Sequence, residues 1–386
     1  MRNEFLPFHR PSIGEDEITE VVDTLKSGWI TTGEKTHRFE SEFARYTGSK
    51  HAVALNSCTA AMHLALVAAG IKEGDEVITT PYTFAATAAV AIWLKARPVF
   101  VDTDRRSFNI DCARIESAIT KKTRAIIPVH VGGHPCDMDS ILQIANQRKL
   151  TVIEDAAHAL ASKYKGKPIG SIGDMTAFSF YATKNITTGE GGMLTTDNEE
   201  YAYRVRRLSL HGLSKDSWKR YGSSGSWYYE IEEPGFKDNM PDIMAALGIH
   251  QLKRLDEFQA IRRKYAENYD RELGSIDAIC IPYVDRNVEH SRHLYMIQLN
   301  LERLKIDRAE FIESLRQLNI GTSVHFIPLH MHPYYAQTFG YKPDDFPNAK
   351  YVYERAISLP LYPAMSEEDI NDVLSAMKYV AGKYAR

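Results

Sequence analysis

The stretch Phe178-Ser179-Phe180-Tyr181-Ala182-Thr183-Lys184-Asn185 joins an apolar run, Met175–Tyr181, to a polar loop that contains a lysine. A second apolar run, Val152–Glu154, comes directly before Asp155. Both runs have the length and composition of buried strands. In open α/β sheets, ligands bind outside the carboxyl ends of the strands. We therefore expect Lys184 and Asp155 to belong to one binding site at that edge.

Short apolar runs alternate with helical stretches from about residue 51 onward. This alternation predicts an α/β fold whose mostly parallel sheet is covered by helices on both faces. The helices predicted between the first strands are Thr59–Ala69 and Thr83–Lys95. The predicted strands of the sheet are His51–Leu55, Glu76–Thr79, Pro98–Val101, Ala125–Val129, Val152–Glu154, Met175–Tyr181 and Met193–Thr196.

The pattern changes after Gly235. Met240–Leu273 contains no proline after Pro241 and is predicted to form one long helix or two in series. The rest of the chain is shorter and mixed, with predicted strands and helices at His293–Asn300, Asp307–Leu318, Gly321–Phe326 and Glu367–Tyr379. We predict a large domain over residues 1–250 and a smaller C-terminal α/β domain over residues 251–386 that includes the linking helix.

Composition excludes several classes of protein. The 386 residues are 44% hydrophobic and 25% charged, which is ordinary for a globular protein. A formal net charge of −3 gives no electrostatic reason to expect nucleic acid or an anionic membrane as a partner. The four cysteines are scattered, so a disulfide framework is not expected. No apolar run is long enough to span a bilayer, and cytoplasmic residence is expected.

The combination of Lys184 and Asp155 points to a pyridoxal phosphate (PLP) enzyme. A lysine amine condenses with the aldehyde of PLP to form a Schiff base, and the same lysine then moves the substrate proton. A carboxylate keeps the pyridine nitrogen protonated, so that the ring withdraws electrons. Neither residue is informative alone, because a lysine is usually a solvated charge and an aspartate after a strand is often a helix cap.

Other segments supply what the remaining parts of PLP need. Asn56–Ala60 lies at a strand-to-helix junction, where hydroxyls and free N–H groups bind phosphate, although helix capping alone is the more common reason for such residues. Phe84 follows another strand and could stack on a flat ring, unless it is a core aromatic. His158 is placed to bond the phenolic oxygen of the ring or to serve a structural role.

Several motifs, which follow one another along nearly the whole chain, resemble those of the DegT/StrS family of sugar aminotransferases. Members of this family are PLP enzymes of fold type I. The motifs that carry the resemblance are Trp29–Gly33, Glu154–His158, Thr183–Asn185, Gly189–Gly192, His211-Gly212, Asp242–Leu247 and Ser358–Pro363.

The family resemblance assigns roles to individual residues. Lys184 would form the Schiff base, Asp155 would pair with the pyridinium, Phe84 would stack on the ring, and His158 would lie near the phenolic oxygen. The groups that would hold the phosphate are Cys58, Thr59, Ser179 and, from the neighbouring subunit, Asn239, which implies a homodimer with shared active sites. Two positions depart from the common family pattern, Cys58 and Tyr181, which leaves the reaction class intact but the substrate pocket less defined.

A second group of residues is expected on the substrate side. The resemblance points to Trp29, Thr32, His325, His330 and Tyr334 as contacts of a sugar nucleotide. The three histidines of the segment from 325 to 332 could instead bind a metal, but no HExxH motif or carboxylate pair accompanies them, so we predict no metal. Trp227-Tyr228-Tyr229 is either another aromatic platform or a packed loop.

The resemblance implies transfer of an amino group from an amino acid, L-glutamate, to the C4 keto carbon of a nucleotide-linked sugar. The opening Phe5-Leu6-Pro7-Phe8 and the Trp29 motif resemble the family member that makes UDP-4-amino-4-deoxy-L-arabinose, whereas the loop around His330 resembles members that act on 4-keto-6-deoxyhexoses. Alternatives are a 3-keto sugar aminotransferase, a PLP-dependent sugar dehydratase and a non-catalytic PLP-binding regulator. Lys184 argues against the dehydratase, because those relatives carry histidine there.

Overall fold

The central feature of the fold is a seven-stranded sheet in the order β1-β9-β8-β5-β4-β2-β3. A computed structural model describes residues 2–213 and 228–386. β9 is antiparallel to both of its neighbours, and the other adjacent pairs are parallel, so the prediction of a mostly parallel sheet is confirmed. The strands are β1 His51–Leu55, β2 Glu76–Thr79, β3 Arg97–Phe100, β4 Thr123–Ile126, β5 Thr151–Asp155, β8 Met175–Ser179 and β9 Gly192–Thr196.

Helices cover both faces of this sheet, because its strands are apolar on both sides. Two buried clusters result: one contains Phe39, Ile126 and Phe178, and the other contains Leu64 and Leu194. The helices of this part are α1 Glu15–Ser27, α2 Glu34–Thr47, α3 Cys58–Ala68, α4 Ala85–Trp93, α5 Cys112–Ala118, α6 Met138–Arg148 and α7 Glu199–Leu208. A small antiparallel sheet joins β6 Lys163–Tyr164, β7 Lys167–Pro168 and β11 Val288–Glu289.

The C-terminal part has its own sheet and its own core. The sheet has the order β10-β12-β13, and the core includes Tyr269, Tyr295 and Phe311. The stretch expected as one or two helices forms two, which meet at Arg254. The elements are α8 Asp242–Lys253, α9 Leu255–Leu273, β10 Ile279–Cys280, β12 Tyr295–Leu299, α10 Arg308–Gln317, α11 Pro333–Phe339, α12 Pro347–Arg355, β13 Ala356–Leu359 and α13 Glu367–Lys383. The domain boundary near residue 250 stays a prediction.

One predicted strand is wrong. Gly321–Phe326 forms no strand; only Ser323 makes an isolated bridge, to Ser358. Val324, His325 and Phe326 line a large cavity. The backbone of such a segment needs partners other than a ladder, and Ser323 exchanges both of its backbone hydrogen bonds with Ser358.

No helix in the described ranges 2–213 and 228–386 is both long and apolar enough to cross a membrane.

Candidate active site

A cavity of about 650 Å³ opens at the carboxyl ends of β5 and β8. This volume lies in the range of small-molecule and cofactor sites, and its position is that expected for an α/β sheet. Its walls come from both parts of the chain, since His293 and Leu359 of the C-terminal part face it. The predicted residues that line it are Cys58, Thr59, Phe84, Asp155, His158, Ser179, Lys184 and His325.

Lys184 follows β8 by a short turn in which its own N–H donates to the carbonyl of Tyr181 over 2.9 Å. Burial lowers the pKa of its amine from 10.5 to about 8, and the nearby Cys58 and Asp155 oppose that change. About a tenth of an amine with such a pKa is neutral at pH 7, against well under a thousandth at a pKa of 10.5, and only the neutral form is a nucleophile or a base.

Asp155 ends β5 and is 5% exposed. One carboxylate oxygen accepts a hydrogen bond from the Thr87 hydroxyl over 2.7 Å, and the other accepts from the Ala157 N–H over 3.2 Å. Burial nevertheless raises the pKa of this carboxyl group, with the two hydrogen bonds acting against it. A cation placed against Asp155 would offset the cost of keeping the charge buried.

The amino end of α3 faces the same cavity. Ser57 caps the helix by accepting a hydrogen bond from the N–H of Ala60 over 3.1 Å, so the capping interpretation is correct for this residue. Cys58 and Thr59 come next and line the cavity, where the helix end favours an anion. The motif Gly189–Gly192 needs glycine at its last position, because a Cβ on Gly192 would lie 2.3 Å from the carbonyl carbon of Ser57.

Aromatic and imidazole rings form one wall. Phe84 is 65% exposed rather than a core aromatic, which leaves its face free for a flat ring. The ring of Phe326 is stacked on that of His158, with centroids 5.7 Å apart. His325 shares a hydrogen bond of 2.8 Å with the Ser358 hydroxyl through Nδ1. Burial and the charge of Lys184 lower the pKa of His325 to about 4, so that this ring is neutral.

Trp29, Thr32 and Asn239 are brought together, but they do not line this cavity. The indole of Trp29 donates to the carbonyl of Thr32 over 3.1 Å, and the amide of Asn239 donates to the Thr32 hydroxyl over 2.6 Å. The backbone of Asn239 forms a bridge with Leu55, at the end of β1. A role for these residues in the cavity of their own chain therefore has no geometric support, and a role toward a neighbouring chain stays a prediction.

The structure also places His330 and Tyr334 outside the cavity. His330 is fully buried, with Nε2 3.1 Å from the carbonyl oxygen of Pro343 and its ring 4.8 Å from that of Phe346. Tyr334 is half exposed and its ring contacts that of Tyr335. Their assignment to substrate stays a prediction. The predicted platform at 227–229 begins with Trp227, which lies outside the described residues.

Sequence reasoning missed several residues of the site. Thr87 is fully buried on α4 and bonds Asp155, and His9 lines the cavity from the amino-terminal segment. His293 lines it from the start of the C-terminal sheet. None of them belongs to a local motif. A threonine two residues into a helix and a histidine before a strand carry no signal until the fold brings them to Lys184.

Taken together, these groups fit PLP. An amine of lowered pKa lies in one cavity with a buried carboxylate, the amino end of a helix, nearby hydroxyls and an exposed aromatic ring. Across the described part of the chain, no cluster of three or more His, Cys, Asp or Glu side chains is arranged to hold a metal ion. The fold and the site define a PLP enzyme of fold type I.

Comparisons with known proteins identify the family. The model of the DegT/DnrJ/EryC1/StrS aminotransferase family matches residues 11–378. The chain is 59% identical over 383 residues to an uncharacterised protein of Methanocaldococcus jannaschii, covering 99% of both. It is 55% identical over 378 residues to the spore coat polysaccharide biosynthesis protein SpsC of Bacillus subtilis, covering 98% of this chain and 97% of that protein.

The putative sugar aminotransferase Spr1654 of Streptococcus pneumoniae superposes with a TM-score of 0.92 at 38% identity, covering 98% of this chain and 99% of that one. It has been solved in both PLP and pyridoxamine phosphate (PMP) forms. The chain belongs to the DegT/DnrJ/EryC1/StrS aminotransferase family and is a PLP-dependent sugar aminotransferase. When bound, PLP supplies an aldehyde that accepts an amine and a ring that withdraws electrons from the substrate carbon.

Proposed function

We propose that this aminotransferase moves an amino group from L-glutamate to the C4 keto carbon of a nucleotide-linked 4-keto sugar. The product would be a 4-amino-4-deoxy sugar nucleotide for cell-surface polysaccharide or lipopolysaccharide synthesis, made in the cytoplasm. The observation that carries the reaction type is the buried amine of Lys184, with its lowered pKa, beside Asp155 in a cavity of about 650 Å³. The relative SpsC, whose name refers to spore coat polysaccharide, supports the product class.

Each residue of the cavity has a proposed task. Lys184 holds the cofactor and, once released, moves the proton at the substrate carbon, for which its neutral amine is suited. Asp155 stabilises the protonated ring nitrogen, while Cys58 and Thr59 at the amino end of α3 and Ser179 at the end of β8 hold the phosphate. The neutral ring of His325 lines the cavity and would donate or accept a hydrogen bond to the sugar without adding charge.

We further propose a homodimer in which Asn239 of one chain serves the cavity of the other. In its own chain the Asn239 side chain contacts Thr32 and Lys237 and does not line the Lys184 cavity. Asn239 could therefore reach the cofactor phosphate in the cavity of a second chain, while Trp29 and Thr32 beside it could contact the substrate there. In a two-fold homodimer the same surface patch faces each partner, so each chain would complete the cavity of the other.

The substrate is tested with a panel of UDP-, dTDP- and GDP-linked 3-keto and 4-keto sugars, with L-glutamate as donor and NMR of the products. Amination at C4 of one nucleotide sugar is expected. Amination at C3 would refute the proposed position while leaving the aminotransferase assignment intact. Loss of a hydroxyl group without amination would favour the dehydratase alternative.

A further inference from the structure

Asn185, which follows Lys184, links three segments around the cavity. Its amide nitrogen donates to the carbonyls of Leu160 and Ser291 over 3.3 and 3.4 Å, so its oxygen is the atom that faces His293. The opposite orientation would set the amide oxygen against two carbonyl oxygens. Nδ1 of His293 lies 2.9 Å from this oxygen. Since an amide oxygen only accepts, Nδ1 of His293 carries the hydrogen and Nε2 is bare.

His158 holds its hydrogen on the opposite nitrogen. Its Nδ1 accepts a hydrogen bond of 3.2 Å from the N–H of Gly132, so the neutral ring carries its hydrogen on Nε2. The two imidazole rings lie with centroids 4.5 Å apart, tilted by 36°, and both line the cavity. The pair therefore offers one donor and one acceptor at the same wall.

The surroundings keep His293 neutral. Burial lowers its pKa well below the usual value, and the groups that lower it further are His158, Lys184, Arg262 and His325. Arg262 is 1% exposed and donates to the carbonyls of His293 and Leu361 over 3.4 and 2.6 Å. The guanidinium of Arg262 at the carbonyl and the amide oxygen of Asn185 at the ring therefore hold His293 at both ends.

We propose that His293, held by Asn185, is a positioning residue of the active site: it fixes the ring of His158 and presents an unprotonated nitrogen to the cavity. The effect on catalysis rests on the proposed roles of Lys184 and His158. The placement of hydrogens does not depend on them, because it follows from the contacts of Asn185 and Gly132 alone. A test on the protein without cofactor therefore separates the two proposals.

The direct test is nitrogen-15 NMR of the histidine side chains in the cofactor-free protein. We expect the ring signals that disappear in His293→Gln to be those of a neutral imidazole protonated at Nδ1. The signals that disappear in His158→Gln should be those of a neutral imidazole protonated at Nε2. Asn185→Leu should remove the preference of His293 for Nδ1. A His293 protonated at Nε2, or at both nitrogens near neutral pH, would overturn the proposal whatever the enzyme's substrate.

The second test compares the kcat and KM of His293 variants in the holoenzyme. His293→Gln keeps a donor for Asn185, whereas His293→Phe removes it and leaves the amide oxygen unpaired. We expect His293→Phe to lower kcat about tenfold, near the worth of one buried hydrogen bond, with KM little changed and partial rescue in His293→Gln. His134→Gln is the control, because His134 is 4% exposed, against 5% for His293, and does not line the cavity. Equal losses in all three variants would show that His293 only supports the fold.

Discussion

The hydrogen bond from Thr87 to Asp155 gives a prediction that the sequence alone does not contain. Thr87→Val replaces the hydroxyl by a methyl group of similar size and removes the 2.7 Å bond to a carboxylate that has one other donor, the Ala157 N–H. Hydrogen bonds to charged groups contribute about 1.5–3 kcal/mol. At about 1.4 kcal/mol per unit, the pKa of Asp155 should rise by about 1 to 2 units further.

The sign of the effect follows from the charge that the cofactor ring needs. Only the ionised Asp155 stabilises a protonated ring nitrogen, so affinity for PLP falls as pH drops through the pKa of this residue in the free protein. Burial already raises that pKa, and Thr87→Val raises it again. The acid limb of PLP affinity should therefore move upward by about 1 to 2 pH units.

The assay is PLP binding to the cofactor-free protein, followed by absorbance between about pH 5 and 9. Thr87→Ser is the matched control, because it keeps the hydroxyl and should keep the acid limb of wild type. Melting temperatures of both variants show whether the fold is intact, since Thr87 also contacts the hydroxyl of Thr83 over 2.7 Å. An acid limb that is the same in Thr87→Val and Thr87→Ser would refute the reasoning.

Four further predictions concern Lys184, Asp155 and Asn239. Wild-type protein should be yellow and borohydride should attach the cofactor at residue 184, while Lys184→Ala should lack turnover; full activity in that variant would exclude the assignment. In cofactor-free protein the reaction of Lys184 with PLP should accelerate as pH rises, with a midpoint near 8 rather than near 10.5, because the neutral amine reacts; a midpoint above about 10 would contradict the lowered pKa. Asp155→Ala should reduce activity by orders of magnitude with an unchanged melting profile, and a variant within a few-fold of wild type would identify the wrong carboxylate. Mixing Lys184→Ala and Asn239→Ala chains should restore up to about half the activity per hybrid dimer, and no rescue under confirmed exchange would mean that Asn239 acts within its own chain or not at all.

The sequence by itself determined the sheet and the centre of the site. Buried parallel strands are continuous apolar runs, so β1 and β2 were predicted with the bounds they have, and the others within a few residues. Lys184 and Asp155 follow such strands, and strand direction alone brings their side chains to one edge. The strand-to-helix junction made Asn56–Ala60 a phosphate-binding candidate, because a helix start exposes N–H groups, and the family resemblance singled out Cys58 and Thr59 within it.

Only the tertiary structure decided which other side chains reach this centre. Gly321–Phe326 has the composition of a strand, yet it forms none, and His325 and Phe326 line the cavity. His330 lies five residues after His325 but is fully buried outside the cavity, against Pro343 and Phe346. Thr87 and His293 carry no local signal, since their partners, Asp155 and Asn185, are far away in sequence. Contacts of this kind depend on how helices and the second sheet pack against the first, which periodicity and motifs do not encode.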